Sequence, residues 1–260
     1  MKDQIERAID LVLEQDQDEF LKRLKDEGRI FGNYTIRPDG LVDINGNVNL
    51  ANMHLTKIPV KFGVVNGYFN CSDNQLTSLE GSPEEVGGNF YCSRNQLTSL
   101  RGCPEEVGRS FYCSDNQLTS LRGCPEEVGR SFYCSDNQLT SLEGSPEKVG
   151  EWFDCSFNQL ISLQGAPEEV GGWFNCSRNS LTSLIGAPEE VGEDFDCSYN
   201  QLTSLIGCPK EVGGNFWCDG NPVEFTEEDI ELAKQGKAPL GLPLSFVLMK
   251  NKEKEFREKK

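Results

Sequence analysis

The chain has 260 residues, a formal net charge of −17, eleven cysteines and a single histidine. A balance this acidic argues against a nucleic-acid groove or an anionic membrane surface as the main partner, since both need a basic footprint, and a basic or mixed protein surface is the easier fit. One histidine, no Gly-rich phosphate loop and no nucleophile beside a recognisable base leave acid–base or nucleophilic catalysis without parts.

The first ten residues, Met1 to Asp10, are charged and lack the apolar stretch of a signal peptide. Residues 2 to 27 then place apolar side chains at Ile5, Ile9, Val12, Leu13, Phe20, Leu21 and Leu24, which is helical spacing. Asp16 would fall on the apolar face of one continuous helix, so two short helices hinged near Glu14 to Asp18 are expected, ending before Gly28 and capping the first turn of whatever follows. From Tyr34 to Leu50, short alternating runs are separated by Pro38-Asp39-Gly40 and Asn45-Gly46, and both read as turns of β-hairpins. Asp43, Asn45 and Asn47 have the look of a calcium loop, but Val48 and His54 stand where its glycine and its bidentate glutamate belong, so the turn reading is preferred.

Residues 92 to 133 contain the same 21 residues twice over with one change, Arg94 against Asp115. Self-similarity at this period marks a stacked array in which no unit buries its apolar face alone. Eight cysteines fall in register at 71, 92, 113, 134, 155, 176, 197 and 218, and a degenerate unit with Val48, Leu50, Leu55 and Ile58 in the equivalent places precedes them. At an inward position a free cysteine acts as a small hydrophobe, so the ladder reads as reduced core thiols in a reducing, cytoplasmic compartment, with secretion as an effector left open. Cys103, Cys124 and Cys208 occupy a slot that other units fill with Ser82, Ser145, Ala166 or Ala187, which requires a small side chain. No C-x-x-C spacing occurs, and neither a metal nor a cofactor is expected.

Within each unit, F-x-C is a short strand of period two, and stacking at about 4.8 Å makes a parallel sheet. Asn74, Asn95, Asn116, Asn137, Asn158, Asn179, Asn200 and Asn221 follow the strands where the chain turns inward, and a short amide can satisfy buried donors and acceptors together. Each unit closes with G-x-P, which predicts a turn and an extended segment with no room for a helix. Beyond Asn221, Thr226 with Asp229 forms a capping box, and a short helix is expected from Thr226 to Gln235, ended by Gly236. The apolar strip Pro239 to Met249 is too short to cross a bilayer and could pack back over that end; the mixed-charge tail Lys250 to Lys260 is read as solvated.

The motif F-x-C-S-x-N-x-L-T-S-L resembles the leucine-rich-repeat consensus L-x-L-x-x-N-x-L over residues 48 to 221, with Phe and Cys in two leucine places. The short unit, with L-T-S-L followed by Pro, is similar to the bacterial class found in type III secretion effectors and phage-encoded proteins. The resemblance implies an α/β leucine-rich-repeat solenoid with its parallel sheet on the concave face, an extended convex side, a helical N-terminal cap and a short C-terminal helix. Three regions follow: a cap over residues 1–33, the array over 34–221 and a C-terminal cap and tail over 222–260. It also implies a role in holding other proteins.

Residues that vary from unit to unit at outward positions are the candidates for recognition. One lane, between Phe and Cys, carries Tyr91, Tyr112, Tyr133, Asp154, Asp196 and Trp217. The lane before Phe carries Tyr68, Trp152, Trp173 and Asp194, and the lane before the asparagines carries Phe157 and Tyr199. Exposed aromatics on a rigid sheet offer large contact area at low entropic cost, so these twelve residues are the candidate partner-binding set. Stacking for its own sake is the competing explanation. The expected function is therefore a non-enzymatic protein-binding module, monomeric or weakly oligomeric, of the kind a phage or bacterial inhibitor of a host factor would be. A self-assembling structural protein and a secreted scaffold stand beside it as alternatives. The paired glutamates from Glu84-Glu85 onward read as a solvating ridge along the other edge.

Overall fold

The computed structural model describes residues 17–237. The first expected helix and the strip and tail beyond Pro239 lie outside them. Helix α1 (17–26) buries Leu21 and Leu24 completely against the array. It stops at Gly28, whose φ of 67° is cheap only for glycine, and the amides of Gly28 and Arg29 return to the carbonyls of Lys25 and Leu24. The Tyr34 hydroxyl donates to Asp18 at 2.9 Å, and Gln17 reaches the carbonyl of Gly40, so the helix is tied to the strands that follow.

Strands β1 (Ile30–Ile36) and β2 (Val42–Asn49) form an antiparallel hairpin closed at Pro38-Asp39-Gly40. The Asn45-Gly46 turn is not there. Both residues lie inside β2, and Gly46 is paired with Gly32 across the hairpin. A Cβ at Gly46 would run into the carbonyl oxygen of Phe31, so this glycine serves close strand approach instead of a turn. The three residues of the would-be calcium loop are used locally. Asp43 pairs with Arg37 at 2.8 Å, Asn45 accepts from Asn66, and Asn47 accepts from the amide of Tyr68.

Strand β2 is the template for the whole array. Its first half pairs with β3 (Phe62–Val65), and its end pairs in parallel with β4 (Phe69–Asn70). Two ladders of two-residue strands grow from these. One takes Glu-Val pairs: β5 (Glu85–Val86), β7 (Glu106–Val107), β9 (Glu127–Val128), β11 (Lys148–Val149), β13 (Glu169–Val170), β15 (Glu190–Val191) and β17 (Glu211–Val212). The other takes the Phe strands: β6 (Phe90–Tyr91), β8 (Phe111–Tyr112), β10 (Phe132–Tyr133), β12 (Phe153–Asp154), β14 (Phe174–Asn175), β16 (Phe195–Asp196) and β18 (Phe216–Trp217). Phe pairs with Phe throughout the second ladder, which makes eight rungs, numbered here by their cysteines from Cys71 to Cys218.

Hydrogen bonding changes sense between the two ladders. Amides of the Glu-Val side donate to the preceding rung, as Glu105 does to Glu84, whereas those of the Phe side donate to the following one, as Phe90 does to Ser110. The residue before Phe sits at this reversal and its amide has lost its ladder acceptor. In several rungs the side chain one rung back supplies one: Asn89 accepts from Ser110, Ser110 from Ser131, Ser131 from Trp152 and Asp194 from Asn215.

The interior is built from identical columns. Phe69 through Phe195, the ladder cysteines from Cys71 to Cys197 and both leucines of each unit are sealed from solvent. The phenylalanine rings stack rung on rung with centroids 5.1–5.8 Å apart. Each asparagine of the ladder works in both directions. Asn95 donates to the carbonyls of Cys71, Cys92 and Ser93, and it accepts from the amide of Leu76. The G-x-P glycines turn with φ between 84° and 95°, the prolines are buried, and the far side is extended without a helix.

The thiols are part of this bonding. Cys92, Cys113 and their ladder neighbours donate to the carbonyl of the outward residue in the next rung at 3.3 Å. In the second slot, Cys103 and Cys124 reach the glycine carbonyls of the next rung, as Ser145 does with its hydroxyl. Burial pushes Cys71 and Cys103 up to about 12, and pushes the half-buried Cys208 and Cys218 to about 11. Because the thiolate is the reacting species, iodoacetamide at about pH 8 is expected to modify Cys208 and Cys218 first and the remaining thiols only on unfolding. Mass spectrometry of partly modified protein checks this; modification of Cys113 or Cys134 at the same rate would contradict it.

At the far end, α2 (Glu227–Lys234) carries the anticipated capping box: Thr226 accepts from the amide of Asp229, and Asp229 accepts from that of Thr226. The helix seats Ala233 on the last rungs, with Phe225 and Ile230 beside it.

Candidate functional site

The solvent face of the sheet presents the variable residues in lanes. Tyr91, Tyr112 and Tyr133 form a face-to-face column with centroids 4.6 and 4.7 Å apart, and Tyr68 meets its first ring edge-on at 6.4 Å. All four rings are half-buried. Burial pushes the Tyr133 phenol above its ordinary range. Asn89 donates to the Tyr91 hydroxyl at 2.6 Å, fixing the start of the column.

Rung five ends the tyrosines, and the same lane continues with Asp154, Asn175 and Asp196 before Trp217. Each of these three residues accepts a hydrogen bond from the amide two residues ahead, at 2.9–3.0 Å. Asp154 is held above the usual carboxylate range, first by burial and then by the charges of Asp136 and Asp196, against the opposing pull of its bonds to Ser156.

Trp152 and Trp173 flank this stretch on one side, edge to face at 6.4 Å. The Trp152 indole lies across rung six and donates to Glu193 of rung seven at 3.0 Å. Gly172 makes this path, for a Cβ there would sit 2.6 Å from the Trp152 ring. On the other side, the Arg178 guanidinium is sandwiched between Phe157 at 5.0 Å and Tyr199 at 4.5 Å. The twelve candidates therefore occupy one continuous face. Tyr68 and the tyrosine column cover rungs one to four, and the other eight, five aromatics and the carboxylates Asp154, Asp194 and Asp196, lie on rungs five to eight.

Two parts of this face also carry structural duties. Oδ1 of Asp194 accepts from both the amide and the side chain of Asn215. The lane holding Arg94 and Asp115 is under a backbone demand of its own. Asp73, Arg94, Asp115, Asp136, Phe157, Arg178 and Tyr199 all have φ between 52° and 56°, in the left-handed region. Aspartate and glycine tolerate that conformation, and their recurrence in this lane, with Gly220 at its end, was the available signal. The lane is also internally paired, since Arg94 lies within 3.5–3.6 Å of the carboxylates of Asp73 and Asp115.

Sequence reasoning missed Glu193, Gly172 and the part played by Arg178. The first two belong to a fourth variable lane, Gly88, Arg109, Arg130, Glu151, Gly172, Glu193 and Gly214, which becomes visible once the Glu-Val strands are recognised as a second ladder. Among the described residues no three His, Cys, Asp or Glu side chains gather as a metal site, and no helix is long and apolar enough to cross a membrane.

No protein-family model matches the sequence, and no curated protein matches it. Among solved structures, the chain is similar to the leucine-rich effector protein YopM from Yersinia pestis, at 22% identity over 67% of this chain and 49% of that one, with a TM-score of 0.49. It is also similar to YopM from Yersinia enterocolitica WA-314, at 17% identity over 68% and 56% of the two chains, with a TM-score of 0.34. The chain thus spans about half the length of these structures. Its in-register parallel rungs, its asparagine ladder and its helix-free turns make it a leucine-rich-repeat solenoid.

Proposed function

We propose that this solenoid is a non-catalytic binding module that holds a partner protein on the concave face of its sheet. The observation that carries the reading is the exposure of Trp152, Phe157, Tyr199 and Trp217 between 43% and 54% on one face of a rigid array. A surface selected only for solubility would not keep large aromatics there, and such residues dominate interfaces because they fill partner pockets at low entropic cost. Phe157 and Tyr199 add a second argument, for each holds a left-handed backbone that a bulky side chain adopts at a cost of roughly 1 kcal/mol or more. Strain retained at an exposed position fits a role outside the fold. The acidic surface suits a basic or mixed partner, a host factor being the natural target if the protein is phage-encoded or bacterial.

The test is affinity capture with mass spectrometry, comparing wild type with a Tyr112→Ala, Tyr133→Ala, Trp152→Ala, Trp173→Ala variant. A specific protein retained by the wild type is expected to be lost by the variant. Equal capture by both would overturn the reading.

A further inference from the structure

We propose that the stretch of the face over rungs five to seven is a receptor for an arginine side chain of the partner protein. The inference rests on the binding role proposed above and adds the chemistry of what is bound. Asp154, Asn175 and Asp196 form its floor in strict register, so the two carboxylates are separated by two rungs, about 10 Å. Each aspartate uses Oδ1 on the amide ahead of it, and among the described residues neither carboxylate forms an ion pair with a lysine or arginine. The half-buried Asp154 is thereby left as a carboxylate without a counter-charge, a costly arrangement that a bound cation relieves.

The walls select the kind of cation. Trp152 and Trp173 border the floor on one side and Tyr199 on the other, while Tyr133 and Trp217 close its ends. Aromatic faces around paired carboxylates favour a planar group that stacks while donating in two directions, which describes guanidinium better than ammonium. The protein already shows the fit in the adjoining lane. Arg178 stacks between Phe157 and Tyr199, whose rings belong to rungs five and seven, the same rungs that hold Asp154 and Asp196.

All three tryptophans of the chain stand at this stretch, so intrinsic fluorescence reports on it directly. A short synthetic peptide carrying arginine among glycine and leucine is titrated into the full chain, beside the same peptide with uncharged citrulline in place of arginine. The arginine peptide is expected to shift tryptophan emission saturably and the citrulline peptide to have little effect. An Asp154→Asn, Asp196→Asn variant is expected to bind the arginine peptide at least about tenfold more weakly, as loss of two partly screened ion pairs implies. That variant keeps the fold, since Asn70 and Asn175 already make the same bond to the amide ahead, at 2.9 and 3.0 Å. Equal response to the two peptides, no response to either, or undiminished binding by the double variant would each overturn the proposal. If lysate capture depends on the aromatics but not on the two aspartates, the binding role stands and the arginine receptor falls.

Discussion

Asn137→Ala is expected to destabilise the protein by about 2 to 4 kcal/mol, more than any single substitution on the exposed face. The side chain is 8% exposed, and four backbone groups depend on it. Its Nδ2 is shared among the carbonyls of Cys113, Cys134 and Ser135, and its Oδ1 takes the amide of Leu118 at 2.9 Å. Alanine removes these bonds: the amide of Leu118 loses its acceptor outright, while the three carbonyls keep one donor each, from Asn116, Asn158 and the amide of Asp115, and an unmade buried hydrogen bond costs about 1 to 3 kcal/mol per group. Asn137→Asp is expected to be about as harmful: it preserves the acceptor for Leu118 but turns a carboxylate toward three carbonyl oxygens. Urea unfolding measures both, with the exposed neighbour Gln138→Ala as a reference expected to stay within about 0.5 kcal/mol of wild type. If Asn137→Ala unfolds at the same midpoint as Gln138→Ala, the asparagine ladder does not hold the rungs together.

What could be read from the sequence depended on how each feature repeats. The Phe, Cys, Asn and Leu columns recur in every unit at a fixed spacing, and because stacking copies each position onto its equivalent, periodicity alone placed them inside. The capping box of Thr226 and Asp229 was legible because its two bonds span only three residues. The Glu-Val ladder was hidden because a strand of two residues has no internal alternation to detect, and its glutamates looked like a simple charged ridge. Asn45-Gly46 misled because an Asn-Gly pair serves a tight turn and a close strand contact equally well, and only the Gly32 partner tells them apart.

The face was half legible for a related reason. Its aromatics stood out as variable outward residues, but their partners lie at distances that no local motif spans, such as the 41 residues between Trp152 and Glu193. The division between residues that support the fold and residues that display chemistry was also blurred. Ser110, Ser131 and Asp194 vary like recognition residues, yet each repairs the amide left open where the hydrogen bonding changes sense. Asp154 and Asp196 do both, each holding a backbone amide with one oxygen while its charge has no cationic partner among the described residues.

Gly150→Ala should produce the second large effect, and in the opposite sense from the usual rule for glycine. Replacing a glycine that already adopts an ordinary conformation normally stabilises a protein, because the unfolded chain loses freedom. Gly150 has no left-handed φ, so the rule would apply if there were space. There is none. A Cβ would press into the carbonyl oxygen of Gly129 one rung back, with the carbonyl carbon only 3.2 Å away, and neither atom can move without parting the rungs. Gly108, Gly129, Gly171 and Gly192 repeat the same contact, so the array stacks along a glycine seam between its two ladders. Gly28→Ala is the informative contrast, since that glycine has φ of 67° but nothing within 4 Å of the added carbon. It is expected to cost only about 1 kcal/mol, the price of a left-handed alanine. Gly150→Ala should exceed it, at about 2 to 4 kcal/mol, through enforced separation of rungs four and five. Denaturant midpoints compare the two directly, and a Gly150→Ala protein as stable as wild type would show that the rungs do not meet along this seam.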